Sequence, residues 1–179
     1  ARVADLRALP DAIHRVLDRK DHIRAIAERH HAVPSSLYLG RRFNHPIALE
    51  GALKNKEISY QHAEGFAAGE MKHGPIALIH EYLPVVCLCT QTEDEVHDKM
   101  LSNMKEVQAR RGRIIAVATE GDAAARDLAE DLIEVPATRD CFAPIVNVVA
   151  LQLLAYYAAQ ARGADIDKPR NLAKSVTVE

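Results

Sequence analysis

The chain has 179 residues, a formal net charge of −2 and an aromatic content of 4% without Trp. This composition gives no basis for nucleic-acid binding, which uses basic surfaces and stacking side chains. A hydrophobic content of 48%, with no apparent run of membrane-spanning length, predicts one globular domain and no membrane partner. Because the chain begins with Ala, we expect a fragment of a longer protein.

Helical and strand patterns alternate along the chain. Thr92, with Glu95 three residues later, has the pattern of a capping box and predicts the start of a helix. Glycines at 65, 69 and 74 predict loops and short turns over residues 62–75. The predicted helices are 10–31, 46–60, 92–111, 122–130 and 142–163, and the predicted strands are 36–40, 83–89, 113–119 and 132–137.

Alternating strands and helices, with nearly continuous apolar strands, indicate an α/β fold whose parallel sheet is covered on both faces. In such folds, ligands bind at the carboxyl ends of the strands. Cys87 and Cys89 fall within one of these strands, so we expect them to be core residues. Reduced thiols are typical of a cytoplasmic protein.

Three ionisable residues, Glu50, Lys54 and Glu57, lie at i, i+4 and i+7 and share one face of a predicted helix. We call them the charged stripe. Leu and Ile flank the stripe, whereas small and polar residues occupy the opposite face, so we expect the stripe on the apolar side. Two interpretations stay open: a structural ion pair, or a site where Glu57 is a base and Lys54 holds a substrate oxygen.

Two further residues are candidates of a different kind. His73 precedes Gly-Pro, so a turn presents its imidazole, and its position alone does not separate a structural role from a functional one. Lys174 lies in a tail without a helical pattern, where spacing alone predicts a surface lysine similar to Lys168. No metal-ligand spacing surrounds His62 or His73, so no metal is expected.

Two long segments resemble the glutamine–fructose-6-phosphate aminotransferases, specifically the second sugar isomerase (SIS) domain of that family. They are GRRFNHPIALEGALKNKEISYQHAEGFAAGEMKHGPIALI and the C-terminal DKPRNLAKSVTVE, and the resemblance covers the chain from about Leu9 to Glu179. It implies a flavodoxin-like, three-layer α/β/α SIS domain with a parallel sheet and an extended C-terminal tail. The family makes glucosamine 6-phosphate from fructose 6-phosphate and glutamine, at the entry to the hexosamine pathway.

The resemblance also implies roles for individual residues. Glu57 would move a proton between C1 and C2 of the open-chain sugar, Lys54 would bind and polarise sugar oxygens, and Glu50 would support this pair. His73 would assist ring opening from the neighbouring subunit of a homodimer. Lys174 would form a Schiff base with the ketone of fructose 6-phosphate, so that the chemistry implies neither a metal nor an organic cofactor.

The same resemblance implies that this chain lacks the first SIS domain and the glutaminase domain of the family. Residues 1–9 would be a connector, residues 10–164 the SIS domain and residues 165–179 an active-site tail. Two alternatives remain open. One is a stand-alone SIS isomerase or deglycase for another sugar phosphate, and the other is a sugar-phosphate-binding module without catalysis.

Overall fold

A single five-stranded sheet forms the centre of the computed structural model, which describes residues 2–92 and 94–172. All neighbouring strands are parallel. The strands are β1 (Ser35–Gly40), β2 (His62–Ala67), β3 (Pro84–Cys89), β4 (Arg113–Thr119) and β5 (Asp131–Val135). Their spatial order is β2-β1-β3-β4-β5, the order of the flavodoxin-like folds.

Helices cover both faces of the sheet, which confirms the predicted three-layer α/β/α architecture. The α-helices are α1 (Arg2–Arg7), α2 (Leu9–Leu17), α3 (Lys20–His30), α4 (Asn44–Ser59), α5 (Val96–Gln108), α6 (Ala123–Leu128) and α7 (Ala143–Ala161). Two 3-10 helices span Ala68–His73 and Pro75–Leu78. Helices α2, α3, α4 and α7 pack on one face, and α5, α6 and the Ala68–His73 helix pack on the other.

Strand β3 shows why the central strands are apolar at every position. Val86 and Leu88 belong to the core under α4 and α7. Val85, Cys87 and Cys89 belong to the core under α5. Because successive side chains point to opposite faces and both faces are covered, polar residues have no place in the strand. The prediction that both cysteines are core residues is confirmed.

The N-terminal region differs from the single helix predicted over residues 10–31. The chain forms α2 and α3, which are separated by Asp18 and Arg19. Residues 1–9, predicted to be a connector, include α1, which has no buried residue. Asp5 in α1 accepts a hydrogen bond of 2.8 Å from Arg139. The connector role of this segment remains a prediction.

The prediction of loops throughout residues 62–75 is wrong at its start. Residues His62–Ala67 form the edge strand β2, which pairs with β1 along its whole length. Its polar residues hide the strand pattern, and its pairing partner is almost thirty residues earlier in the chain. Gly65 is required here, because a Cβ atom added to it would lie 2.9 Å from the backbone oxygen of Ala48 in α4.

Helix α5 begins later than the predicted capping box. Its first residue is Val96 rather than a residue next to Thr92. Thr92 still contributes, since its hydroxyl oxygen accepts a hydrogen bond from the His97 backbone N–H at 3.2 Å. Asp94 accepts another from the Val96 N–H at 3.0 Å. The start of the helix is therefore held by the loop rather than by a Thr–Glu pair.

Helix α7 corrects the sequence-based statement that no apolar run is long enough to span a membrane. Among the described helices, it alone has the length and composition of a membrane span. More than half of that segment is buried inside the fold, where it packs against α2, α3 and α4. Its apolar character is accounted for by its position in the core.

Candidate active site

The strand order changes direction between β1 and β3, and in such folds the ligand crevice is expected at the carboxyl ends of these two strands. Helix α4 follows β1 almost immediately. A Cβ atom added at Gly40 would lie 2.1 Å from the Asn44 backbone oxygen, so only glycine allows this tight turn. Helices α4 and α5 leave the crevice on opposite faces of the sheet.

A buried polar cluster forms the floor of this crevice, and the sequence analysis missed it. The Asn44 amide donates to the Thr90 hydroxyl, and the Asn147 amide donates to Asn44 Oδ1, each at 2.9 Å. Asn147 is fully buried, and its Oδ1 has no partner among the described residues. The available signal was an asparagine within the apolar sequence of α7. The cluster joins the first turns of α4 and α7 to the end of β3.

The charged stripe is assembled by α4 as its spacing predicts. Lys54 Nζ lies 2.5 Å from Glu57 Oε2 and 3.8 Å from Glu50 Oε1. The hydrogen bond to Glu57 raises the pKa of Lys54, against the effect of partial burial, and both carboxylates add to the increase. Lys54 is therefore held as an ammonium ion that can donate hydrogen bonds but cannot act as a nucleophile.

The stripe lies on the leucine-flanked side of α4, but that side is not the buried one, so the burial implied by its apolar flanks is not observed. The buried side consists of the small and polar residues, including Gly51 and Asn55. Leu49 and Leu53 are 45% and 41% exposed, and the side chains of the stripe are 27% to 40% exposed. The small side faces inward because α4 packs closely against α7 and β2, where larger side chains would not fit.

The stripe is also separate from the crevice. It begins six residues and ends thirteen residues after Asn44, or about 9 to 20 Å along the helix axis. A cavity of about 210 Å³ at the carboxyl ends of β3 and β4 is lined by Thr119 and Thr138, and a larger one of about 560 Å³ lies beside β5 and the segment that leads into it. Neither cavity includes a residue of the stripe.

His73 lies at the end of the 3-10 helix that follows β2, and it is exposed. Gly74 follows with φ of 155°, a conformation that favours glycine. Next to it, Lys72 forms an ion pair of 2.8 Å with Glu106 of α5. Within residues 2–92 and 94–172, no hydrogen bond or ion pair joins His73 to the stripe. His73 and the stripe are therefore not joined in one bonded cluster within the described part of the chain.

A protein-family model described as SIS domain matches residues 22–162. The chain belongs to the SIS domain family. Two curated relatives are both named glutamine–fructose-6-phosphate aminotransferase [isomerizing]. The protein from Thermus thermophilus is 54% identical over 98% of this chain, and that from Methanosarcina acetivorans is 53% identical over 99%. This SIS domain spans only 29% and 28% of their respective lengths.

A solved structure also resembles this SIS domain. It is the C-terminal domain of a glucosamine-fructose-6-phosphate aminotransferase from Francisella tularensis, with 37% identity and a TM-score of 0.84. The match covers 92% of this chain and 46% of the solved one.

The last predicted site residue of the SIS domain, Lys174, lies outside the described residues. The start of its tail is described and is attached to the end of α4. The backbone N–H of Arg170 donates to the Tyr60 hydroxyl at 2.8 Å, and the Arg170 guanidinium lies 4.2 Å from the centre of the Tyr60 ring.

Two groups of side chains in the SIS domain have donor atoms close enough to hold a metal: Cys89, His97 and Asp122, and His30, Glu130 and Asp131. Existing bonds account for both. His97 is bonded to Asp122 at 2.6 Å, and Asp122 caps α6 through the Ala125 N–H. His30 is hydrogen-bonded to Asp131 at 2.7 Å. Asp131 is the first residue of β5, so this pair lies at the amino ends of the strands, away from the crevice. These groups stabilise helix and strand ends.

Proposed function

We propose that the chain is the C-terminal isomerase part of a glutamine–fructose-6-phosphate aminotransferase, which makes glucosamine 6-phosphate from fructose 6-phosphate and glutamine. The observation that carries this proposal is 54% identity, over 98% of the chain, to a relative of that name. The ordered charged stripe on α4 supports it, because it supplies a carboxylate next to a hydrogen-bonding cation. The first SIS domain and the glutaminase domain are the proposed partners within the longer protein.

In this proposal Glu57 removes a proton from C1 of the open-chain sugar and returns it to C2. Lys54 has three N–H donors, and within the described residues one of them is used, by Glu57 at 2.5 Å. The others are available to sugar oxygens, where the positive charge stabilises negative charge that develops during proton transfer. Glu50, whose Oε1 lies 3.8 Å from Lys54 Nζ, helps to hold the ammonium group between the two carboxylates.

Lys174 is the proposed imine-forming residue, as the resemblance to the aminotransferase family implies. An amine attacks a ketone only in its neutral form, and the raised pKa of Lys54 makes that lysine unsuitable. The amine of Lys174 would add to the ketone and release water. The resulting iminium makes the neighbouring C–H more acidic, which assists Glu57.

A homodimer is the proposed assembly, with His73 acting in the neighbouring subunit. Sugar sites are concave and exclude much of the solvent, whereas the stripe lies on the outer side of α4 and is partly exposed. A second surface is therefore needed to enclose it. The exposed position of His73 is suited to a contribution across such an interface.

Because Cys87 and Cys89 are free thiols, we place the protein in the cytoplasm.

The test uses the full-length protein that carries this chain. Fructose 6-phosphate is added with borohydride, and the reduced adduct is located by mass spectrometry. We expect it on Lys174 and expect its loss in Lys174→Ala. Glu57→Gln should still form the adduct but lower the exchange of the C1 proton with solvent by about 10²- to 10⁴-fold, as expected for a lost general base.

Glu95→Gln is the matched control, since it removes an exposed Glu–Lys pair of α5 and should leave both measurements unchanged. An adduct on another lysine, or unchanged exchange in Glu57→Gln, contradicts the proposal. The isolated chain should not synthesise glucosamine 6-phosphate from added glutamine. Turnover of a different sugar phosphate by the isolated chain would favour the stand-alone isomerase instead.

A further inference from the structure

We propose that Tyr60 and Arg170 form a clamp that holds the start of the C-terminal tail at the end of the helix that carries Glu57, and so limits how far the chain that leads to Lys174 can extend from that point. We call this pair the Tyr60 clamp. The inference rests on the proposed function for the role of Lys174. The clamp itself rests only on contacts between described residues.

The first argument is the backbone of Tyr60. This residue ends α4 with φ of 58° and ψ of 17°, in the left-handed region, and its N–H bonds to the Lys56 carbonyl at 3.2 Å. Glycine or asparagine usually occupies such a position, and a bulky aromatic residue is an outlier there. An outlier of this kind indicates that the side chain has a role that offsets the strain.

The second argument is that Tyr60 holds both the side chain and the backbone of Arg170. The guanidinium lies 4.2 Å from the ring centre, within the range of a cation–π contact. The Arg170 N–H donates to the hydroxyl at 2.8 Å. Two contacts at different points of one residue restrict its orientation as well as its position.

The third argument is the path of the chain between α7 and the clamp. Gly163 has φ of 66° just after α7 ends. Asp165 then accepts hydrogen bonds from the backbone N–H groups of Asp167 and Lys168 at 3.1 and 3.0 Å, which forms a turn. The chain is thus turned before it reaches Tyr60.

The reach of the chain gives the consequence for Lys174. From Arg170, the four residues to position 174 span at most about 14 Å, whereas the six residues from Lys168, the last residue held by the Asp165 turn, span at most about 21 Å. The clamp therefore reduces the volume within reach of residue 174 by roughly three-fold. Tyr60 follows Glu57 by three residues, about 4.5 Å along the helix axis. A higher effective concentration of the amine near Glu57 follows, which makes Tyr60 a positioning residue.

Two measurements on the full-length protein test the clamp, and the first needs no substrate. Trypsin cleaves after Arg170 when that side chain is released, at a rate that follows the released population. Loss of a cation–π contact and a hydrogen bond should increase this rate about ten- to thirty-fold in Tyr60→Ala. Tyr60→Phe keeps the ring and should give a smaller increase. Tyr82→Ala, which removes an exposed tyrosine elsewhere, is the control.

The second measurement is the rate of borohydride-trapped adduct at Lys174. We expect it to fall about three-fold in Tyr60→Ala, as the reach of the chain implies, less in Tyr60→Phe, and not at all in Tyr82→Ala. Equal cleavage rates in wild type and Tyr60→Ala would overturn the clamp, and faster cleavage with unchanged trapping would overturn its positioning role. If wild type forms no adduct at Lys174, the proposed function and the positioning role fail together. A faster cleavage of Tyr60→Ala in that case would show that the contact alone is correct.

Discussion

The contact between α4 and α7 offers a stringent test of how the charged stripe is positioned. A Cβ atom added at Gly51 would lie 2.4 Å from Leu151 Cδ1 and 3.2 Å from its Cβ and Cγ. Leu151 is 1% exposed, so its side chain has little room to move. Overpacking of this kind costs about 2 kcal/mol, and alanine regains about 1 kcal/mol of helix propensity over glycine. Gly51→Ala should therefore destabilise the protein by about 1 kcal/mol.

The sign should reverse when Leu151 is shortened. Leu151→Ala alone should cost about 2–5 kcal/mol through the cavity it leaves. Leu151→Ala removes the atom at 2.4 Å and keeps the Cβ at 3.2 Å, a contact that a shift of a few tenths of an ångström relieves, so Gly51→Ala in this background should stabilise by up to about 1 kcal/mol. Urea unfolding of the four proteins, followed by circular dichroism, gives the coupling energy. Gly69→Ala is the control, because a Cβ atom added at Gly69 would lie 3.7 Å from Arg41, an ordinary van der Waals distance. It should not show the overpacking cost. If the effects of the two substitutions add to within about 0.5 kcal/mol, the close contact does not decide how α4 packs.

Three further predictions concern ionisable groups. Burial alone would raise the pKa of Asp131, but hydrogen bonds from Arg29 and His30 lower it below 3.8. Asp131→Asn should thus lower the free energy of unfolding by about 1–3 kcal/mol at pH 7. Urea titrations should show that the difference in stability between wild type and variant shrinks below pH 3.8. The pKa of Lys54 is raised above 10.5, so its ion pairs stabilise the fold at neutral pH. Lys54→Met should therefore lower the free energy of unfolding by at most about 0.5 kcal/mol at pH 7. This difference should disappear as the pH rises past 10.5, because the lysine loses its charge. Cys141 is exposed, whereas two thiols are buried, so a thiol reagent should label one residue before unfolding and three after; rapid native labelling of a second would contradict the core assignment.

The strands under both layers of helices could be read from the sequence, because burial on both faces leaves a purely apolar segment. Strand β3 was predicted over residues 83–89 and is observed over Pro84–Cys89. Strand β4 was predicted and is observed over residues 113–119. The edge strand β2 lacks this signal, since only one of its residues is buried, whereas the other edge strand, β5, is buried at all but one position and was predicted. For that reason β2 was mistaken for a loop.

The orientation of α4 could not be read from its composition. Leucines beside the charged stripe suggested that this side was buried, yet Leu49 and Leu53 are substantially exposed. The opposite side is buried because Gly51 fits against Leu151 and because Gly65 of β2 leaves room for the helix backbone. Both partners are distant in the chain. Local patterns do not contain this information.

For the candidate site, the sequence by itself determined that Glu50, Lys54 and Glu57 share one face, because helical spacing is a local property. It also carried the motifs that indicated the family. Only the tertiary structure decided that this face points outward, that Asn44, Thr90 and Asn147 meet below the crevice, and that Tyr60 holds the tail at Arg170. Each of these depends on contacts between segments far apart in the chain, where close packing selects the arrangement.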